Sequence, residues 1–115
     1  MDEKYLFFDN LTESVTISPD SIVSRTLRAD EHAKMIVFGF DKGQELSEHT
    51  ASVPAIIHIV SGEADLTFGG EAQTASAGTW AWMPANLPHS IVAKTPVVML
   101  LTMFKGTPTK ADQGA

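Results

Sequence analysis

The sequence predicts an all-β fold in which two antiparallel sheets pack together as a sandwich or barrel. Short apolar runs bounded by Gly, Pro, Asn and Asp recur along the 115 residues. No stretch of ten or more residues combines a 3.6-residue apolar period with a helix cap. Short strands separated by turn signals are typical of sandwiches and barrels. We therefore predict eight strands, at residues 21–28, 33–40, 55–61, 64–68, 71–75, 79–83, 89–93 and 97–104.

Glycines mark the turns between several of these strands. Gly69 and Gly70 predict a two-residue hairpin, because primed turns require positive φ at positions where glycine costs least. Gly43 and Gly62 also predict turns, because glycine readily adopts the positive φ that many turns require. Together these signals predict that the strands in the middle of the chain follow one another as a meander.

The last predicted strand is apolar on both of its faces. It contains the run from Val97 to Leu101, so both sides of the strand require cover. One face can point into the barrel, whereas the other needs either the N-terminal residues 6–8 or a second subunit. Because this leaves more apolar surface than one barrel covers, we predict a homodimer with a two-fold interface.

Length and composition narrow the functional classes. A chain of 115 residues fits one domain, which we assign to residues 1–105, followed by a loose tail at 106–115. The net charge is −6, and the eight Lys and Arg residues form no basic stripe, so nucleic acid is not an expected partner. The sequence has no apolar run of about 18 residues and no secretory signal pattern. We therefore expect no membrane partner and a cytoplasmic location.

Cysteine is absent, so a metal site or a catalytic site must rely on other side chains. The first candidate pattern begins at Gly43, reaches His49 after five residues, continues through Ala51 and Ala55, and ends at Gly62 after six more.

A second pattern lies closer to the C-terminus. It begins at Gly78, reaches Pro84 after five residues, and continues through Asn86 and His89 to Ala93. The two patterns resemble the two motifs of the cupin superfamily, G-x5-H-x-H-x(3 or 4)-E-x6-G and G-x5-P-x-G-x2-H-x3-N. The resemblance implies an RmlC-like fold, the double-stranded β-helix or jelly-roll barrel.

The resemblance also implies where ligands would stand. Metal-binding cupins use two histidines and a glutamate from the first motif and one histidine from the second. At the matching positions this chain has His49 and His89, but Ala51 and Ala55 replace the other two ligands. Two imidazoles are too few for a firmly held site. A divalent transition metal (Zn, Fe, Mn or Ni) bound by His49 and His89 is therefore an alternative and not an assigned cofactor.

Other side chains are candidates for the same pocket. Strand parity turns His58 outward if Ala55 points inward, but a bulge would reverse this parity, so His58 is retained as a third candidate ligand. Trp80 and Trp82 share one face of a strand and line either the pocket or an interface. We assign Trp82 and Met83, together with the two motif histidines, to the pocket.

Two functions follow from this pocket. The first is a small-molecule-binding cupin in which His49 and His89 orient a partly apolar ligand by hydrogen bonds. The alternative is a metal-dependent enzyme of dioxygenase or isomerase type with a non-standard ligand set, because the resemblance implies enzymes as well as binders. The catalytic residues and the identity of the ligand are left open by the sequence.

Overall fold

The computed structural model describes residues 4–106, and these form an almost entirely β structure with two antiparallel sheets. The predicted fold class is confirmed. No helix in this part of the chain is long and apolar enough to cross a membrane. Apart from Gly106, the predicted tail at 106–115 lies outside the described residues. The strands are β1 Ile22–Ala29, β2 Ala33–Phe40, β3 Glu45–His49, β4 Ala55–Ser61, β5 Ala64–Phe68, β6 Glu71–Ala75, β7 Trp80–Met83, β8 His89–Ala93 and β9 Val97–Phe104.

The five-stranded sheet has the order β1-β2-β9-β4-β7, and the four-stranded sheet has the order β3-β8-β5-β6. Alternation along β4 shows how the sheets enclose the core. Ala55, Ile57 and Ile59 are buried, whereas the residues between them are partly exposed. Successive side chains of a strand point to opposite faces, so the buried set lies between the sheets. The core joins these residues to Leu66 and Ile91 of the other sheet.

The central connectivity differs from the predicted meander. The β5–β6 hairpin is as predicted, with φ of 56° at Gly69 and 89° at Gly70. The turn at Gly62, however, carries the chain from β4 in one sheet to β5 in the other, so these strands do not pair. A turn residue with positive φ marks a change of direction but does not specify the sheet that the next strand joins.

One strand, β3, is absent from the sequence prediction. Its residues Glu45–His49 are mostly polar, and all of them are exposed except Leu46, which is partly buried. Such a sequence lacks the apolar alternation that predicts a half-buried strand. β3 is nevertheless held at the sheet edge by pairing with β8.

The N-terminal segment covers part of the outer face of the five-stranded sheet. A Cβ added at Gly39 would lie 2.9 Å from Cγ1 of Ile17 and 3.3 Å from Cγ1 of Val15, which shows how closely this segment approaches β2. Arg25 also donates to the carbonyl oxygen of Ser14 at 3.0 Å. The sequence left two covers open for the outer face of β9, residues 6–8 or a second subunit. Leu6 and Phe7 are exposed, whereas Phe8 is partly buried, with the guanidinium of Arg25 5.6 Å from its ring centroid. At Gly39 of β2 the cover is the segment around residues 14–17.

Asp30 organises the turn between β1 and β2. Its Oδ1 accepts hydrogen bonds from the backbone N–H groups of His32 and Ala33, at 2.8 and 3.0 Å. Its Oδ2 accepts from Nε of Arg28 at 3.0 Å. These bonds favour the charged carboxylate and lower the pKa of Asp30 from 3.8 to about 2, with the His32 N–H as the largest cause.

The lowered pKa of Asp30 predicts an acid-sensitive contribution to stability. Because the folded pKa is below the unfolded one, the contribution is present above pH 3.8 and is lost as the pH falls toward 2. A carboxyl-carbon NMR titration should give a midpoint near 2 for Asp30. The stability difference between the wild type and Asp30→Ala should shrink over the same pH range. A titration midpoint at or above 3.8 would contradict this prediction.

Candidate functional site

His49 and His89 lie side by side at one end of the barrel. They are paired across the edge of the four-stranded sheet, at the end of β3 and the start of β8. Their ring centroids are 4.3 Å apart, and the ring planes are inclined at 57°. His49 is exposed and His89 is half-buried, so the pair is reachable from solvent. The structure thus brings the two motif histidines together.

A β-bulge decides which side chain of β3 faces the other sheet. Leu46 is paired with Ile91, but the next pair is His49 with His89, three residues further along β3 and two residues back along β8. One extra residue is therefore accommodated in β3. Without it, the two-residue period would place Glu48 on the side of Leu46 and turn His49 away.

Backbone carbonyl groups orient both imidazoles. Nδ1 of His49 donates to the carbonyl oxygen of Ser47, and Nδ1 of His89 donates to that of Leu87, each at 2.8 Å. A carbonyl oxygen only accepts, so the proton of each neutral ring is on Nδ1. In that neutral form, Nε2 of each ring carries a lone pair that can accept a hydrogen bond or bind a metal ion.

A cavity of about 120 Å³ adjoins the histidine pair. In the five-stranded sheet, Ala55 is paired with Met83 on one side and Met103 on the other, so these three residues form one row. All three line the cavity with the two histidines. The remaining wall is Ala51, Val53, Pro84 and Leu101. A smaller cavity of about 60 Å³ also touches both imidazoles and Leu101 and is lined further by core residues of both sheets.

The other predicted pocket residues divide between the two faces of the sheet. Met83 is 2% exposed and lines the cavity. Trp82, its chain neighbour, is 54% exposed and does not line the cavity, so its assignment to the pocket was wrong. Adjacent strand residues cannot share a face. Met103 was not assigned to the pocket, because its contact with Ala55 depends on the β4–β9 register, which no local pattern specifies.

His58 lies away from the motif histidines. It is paired with Trp80 and Leu100 on the outer side of the five-stranded sheet, in agreement with the parity argument and without a bulge to reverse it. Within residues 4–106, no three His, Cys, Asp or Glu side chains are grouped so that they could hold a metal ion. Firmly held Zn, Fe, Mn or Ni sites use three or more protein ligands. The residues around His49 do not fit such an ion.

Comparison with known proteins agrees with the fold. The cupin domain family profile matches residues 36–103. A conserved protein of unknown function from Streptococcus pyogenes, SPY1581, is 32% identical, with a TM-score of 0.80 and coverage of 94% of this chain and 93% of that one. An RmlC-like cupin protein from Desulfovibrio desulfuricans is 26% identical, with a TM-score of 0.78 and coverage of 88% and 98%.

A more distant likeness involves an enzyme. Salicylate 1,2-dioxygenase from Pseudoaminobacter salicylatoxidans aligns with a TM-score of 0.69 at 12% identity, over 80% of this chain and 27% of that one. At this identity the likeness shows the fold alone. None of the curated proteins compared with the chain matches it. The matched family profile, the two-sheet barrel and the position of the two motif histidines all lead to one assignment: the chain belongs to the cupin superfamily.

Proposed function

We propose that this cupin binds a small, partly apolar ligand in the cavity beside His49 and His89. The observation that carries the proposal is the pair of imidazoles, 4.3 Å apart between ring centroids, with Nδ1 of each ring bonded to a backbone carbonyl oxygen. In a neutral ring whose proton is on Nδ1, Nε2 accepts hydrogen bonds and donates none. The ligand should therefore carry an O–H or N–H donor at the end that meets them.

The size and walls of the cavity indicate the rest of the ligand. Apart from the imidazoles, the wall consists of Ala, Val, Leu, Met and Pro residues. An apolar cavity of about 150 Å³ accepts benzene, and the cavity here is about 120 Å³. A ligand of one small ring, or of a few carbons, with one donor group matches this space. Pockets of this kind use a few polar groups to orient a mainly apolar ligand.

A metal-dependent enzyme of dioxygenase or isomerase type is the alternative that the family raises. It would need at least a third protein ligand, and alanine stands at both positions where the family pattern has its further ligands, 51 and 55. The binding role needs only the two lone pairs that the hydrogen bonds of His49 and His89 leave free. Binding is therefore the function that these residues support best.

Phenol and toluene test the proposal, because they have similar size and only phenol donates a hydrogen bond. We expect phenol to bind about 2- to 10-fold more tightly than toluene, as one net hydrogen bond contributes about 0.5–1.5 kcal/mol. This ratio should fall to near one in the double variant His49→Ala/His89→Ala. Chemical-shift titration of labelled protein measures both affinities.

His58→Ala is the matched control, because it removes an imidazole from the outer face of the same barrel. It should keep the wild-type preference for phenol. Equal binding of phenol and toluene by the wild type, or a preference that persists in the double variant, would contradict the proposed function.

We also propose that two copies of the chain associate through the outer face of the five-stranded sheet near β7. Trp80 and Trp82 are 61% and 54% exposed there, and Ile56, His58 and Leu100 lie beside them in the strand register. None of these side chains is a carboxylate or an amine. A two-fold axis would bury identical apolar patches against each other without opposing the like charges of two copies of net charge −6.

A further inference from the structure

We infer that the ligand of this cupin carries its donor group between two apolar arms, as a small secondary alcohol does, and that Leu101 is the specificity-determining residue that separates the two arms. The inference rests on the proposed function and extends the ligand past the donor group that meets His49 and His89. The longer arm occupies the cavity of about 120 Å³, and the shorter arm occupies the neighbouring cavity of about 60 Å³.

The first support is that the larger and the smaller cavity meet at the histidine pair. Among the described residues, His49, His89 and Leu101 line both cavities. The rest of the larger wall consists of Ala, Val, Met and Pro residues, and the rest of the smaller wall consists of Phe, Leu, Ile and Met residues with Ser90. A donor group in contact with the imidazoles therefore has a mainly apolar space on either side of it.

The second support is the position of Leu101 in the five-stranded sheet. Residues on one face of a strand are two apart, which is about 6.6–6.8 Å along β9. Met103 lines the larger cavity, Leu101 lines both, and Met99 lines the smaller one. In β4, Ala55 is paired with Met103 and lines the larger cavity, whereas Ile57 is paired with Leu101 and lines the smaller one. The row of Leu101 therefore lies at the boundary between the cavities.

The four-stranded sheet places the histidines at the same boundary. The pair next to His49 and His89 along β3 and β8 is Leu46 with Ile91. Leu46 and Ile91 line the smaller cavity and not the larger one. The imidazoles thus stand where the smaller cavity ends and the larger one begins, and a hydroxyl held there has one arm of the ligand on each side.

The two volumes limit the lengths of the arms. A water molecule needs about 10–15 Å³ of cavity volume, so the smaller cavity, at about 60 Å³, has space for a short alkyl group such as ethyl. The larger cavity holds the longer arm. A hydroxyl on an interior carbon fills both spaces while it contacts the histidines, whereas a hydroxyl on a terminal carbon leaves the smaller space without an occupant. The ligand class is therefore a small secondary alcohol.

The test compares 3-pentanol with 1-pentanol, two isomers that differ in the position of the hydroxyl, by chemical-shift titration of labelled protein. We expect 3-pentanol to bind about 4- to 15-fold more tightly, because a terminal hydroxyl leaves one or two CH₂ groups unburied, at about 0.8 kcal/mol each. The linear isomer exposes more apolar surface in water than the compact one. Non-specific hydrophobic binding would therefore give the opposite preference.

Two variants change the two affinities separately. Leu46→Phe fills the smaller cavity and leaves the larger wall intact, so it should weaken 3-pentanol to the level of 1-pentanol without changing the affinity for 1-pentanol. Leu101→Ala joins the two cavities, so 1-pentanol can extend through both and should gain affinity until the ratio approaches one. Circular dichroism checks that each variant is folded, and Leu46→Phe alone decides the test if Leu101→Ala does not fold.

Leu27→Ala is the matched control for Leu101→Ala, because Leu27 lines a separate cavity with Tyr5 and Phe8 and neither of the two beside the histidines. It should keep the wild-type preference for 3-pentanol. Binding of 1-pentanol by the wild type at least as tight as that of 3-pentanol, or a preference that survives Leu46→Phe, would overturn the inference.

The phenol and toluene titrations distinguish this failure from failure of the proposed function. If the preference for phenol persists while the two pentanols bind equally, the inference is wrong and the proposed function stands. If the wild type binds phenol and toluene equally, the proposed function is wrong, and the placement of the hydroxyl at the histidines is wrong with it.

Discussion

Replacement of Met99 by glutamate should abolish the folded barrel. Met99 is 3% exposed and belongs to the core between the two sheets. The change removes packing worth about 2–5 kcal/mol and buries a carboxylate without a partner, which costs about 3–5 kcal/mol in comparable cases. Together these losses match the whole stability of a typical domain, about 5–15 kcal/mol. Circular dichroism and urea unfolding at neutral pH should show an unfolded or aggregated chain.

Leu100→Glu is the matched control, because it places the same charge one residue further along β9. Leu100 is paired with Val37 and His58 and is only partly buried. This variant should stay folded with a loss of about 1–2 kcal/mol. It should also shift the mass measured by light scattering from two chains to one, because a charge would enter the proposed dimer interface. A folded Met99→Glu would contradict the strand parity, and a monomeric wild type would contradict the dimer.

Replacement of Gly62 by alanine should produce the second large effect. The backbone φ of Gly62 is 89°, and an added Cβ would lie 2.1 Å from the carbonyl oxygen of Pro96. Because the carbonyl oxygen belongs to the backbone, no side chain can rotate away to relieve the clash. The β4–β5 connection would have to move away from Pro96, the residue that precedes β9. We expect a loss of about 3–5 kcal/mol in the free energy of unfolding, measured by urea denaturation.

Gly70→Ala separates the steric contact from the backbone strain. Gly70 has the same φ of 89°, but an added Cβ there meets no atom within 4 Å. Only the cost of the left-handed conformation should remain, about 1–2 kcal/mol. If both variants lose the same stability, the close approach of Gly62 to Pro96 is not what destabilises the protein.

Most of the strands were predictable because their burial follows a local period. The alternation in β4 indicates which residues face the core, and it correctly turns His58 outward. The polar strand β3 has no such period. β3 is held in strand conformation by backbone pairing with β8. Backbone hydrogen bonds are available to nearly every residue type, so they leave no pattern in the sequence.

The candidate site was predictable only in part. The motif spacing indicates His49 and His89, and the structure places them in contact. The methionine row is different, because the neighbours of Ala55 depend on how β7 and β9 pair with β4. Register between distant strands is a tertiary property. The error at Trp82 has the same origin, since residues of one short segment were assigned together although the pleat separates them.

The bulge in β3 also determines the chemical character of the cavity. Its one extra residue places His49 opposite His89 and leaves Glu48 exposed. A register slip of one position would exchange a neutral base for a carboxylate, and the mouth of the barrel would then offer a hard anionic oxygen. The choice between a soft, uncharged binding site and a hard, acidic one therefore depends on strand alignment, with no change in amino-acid composition.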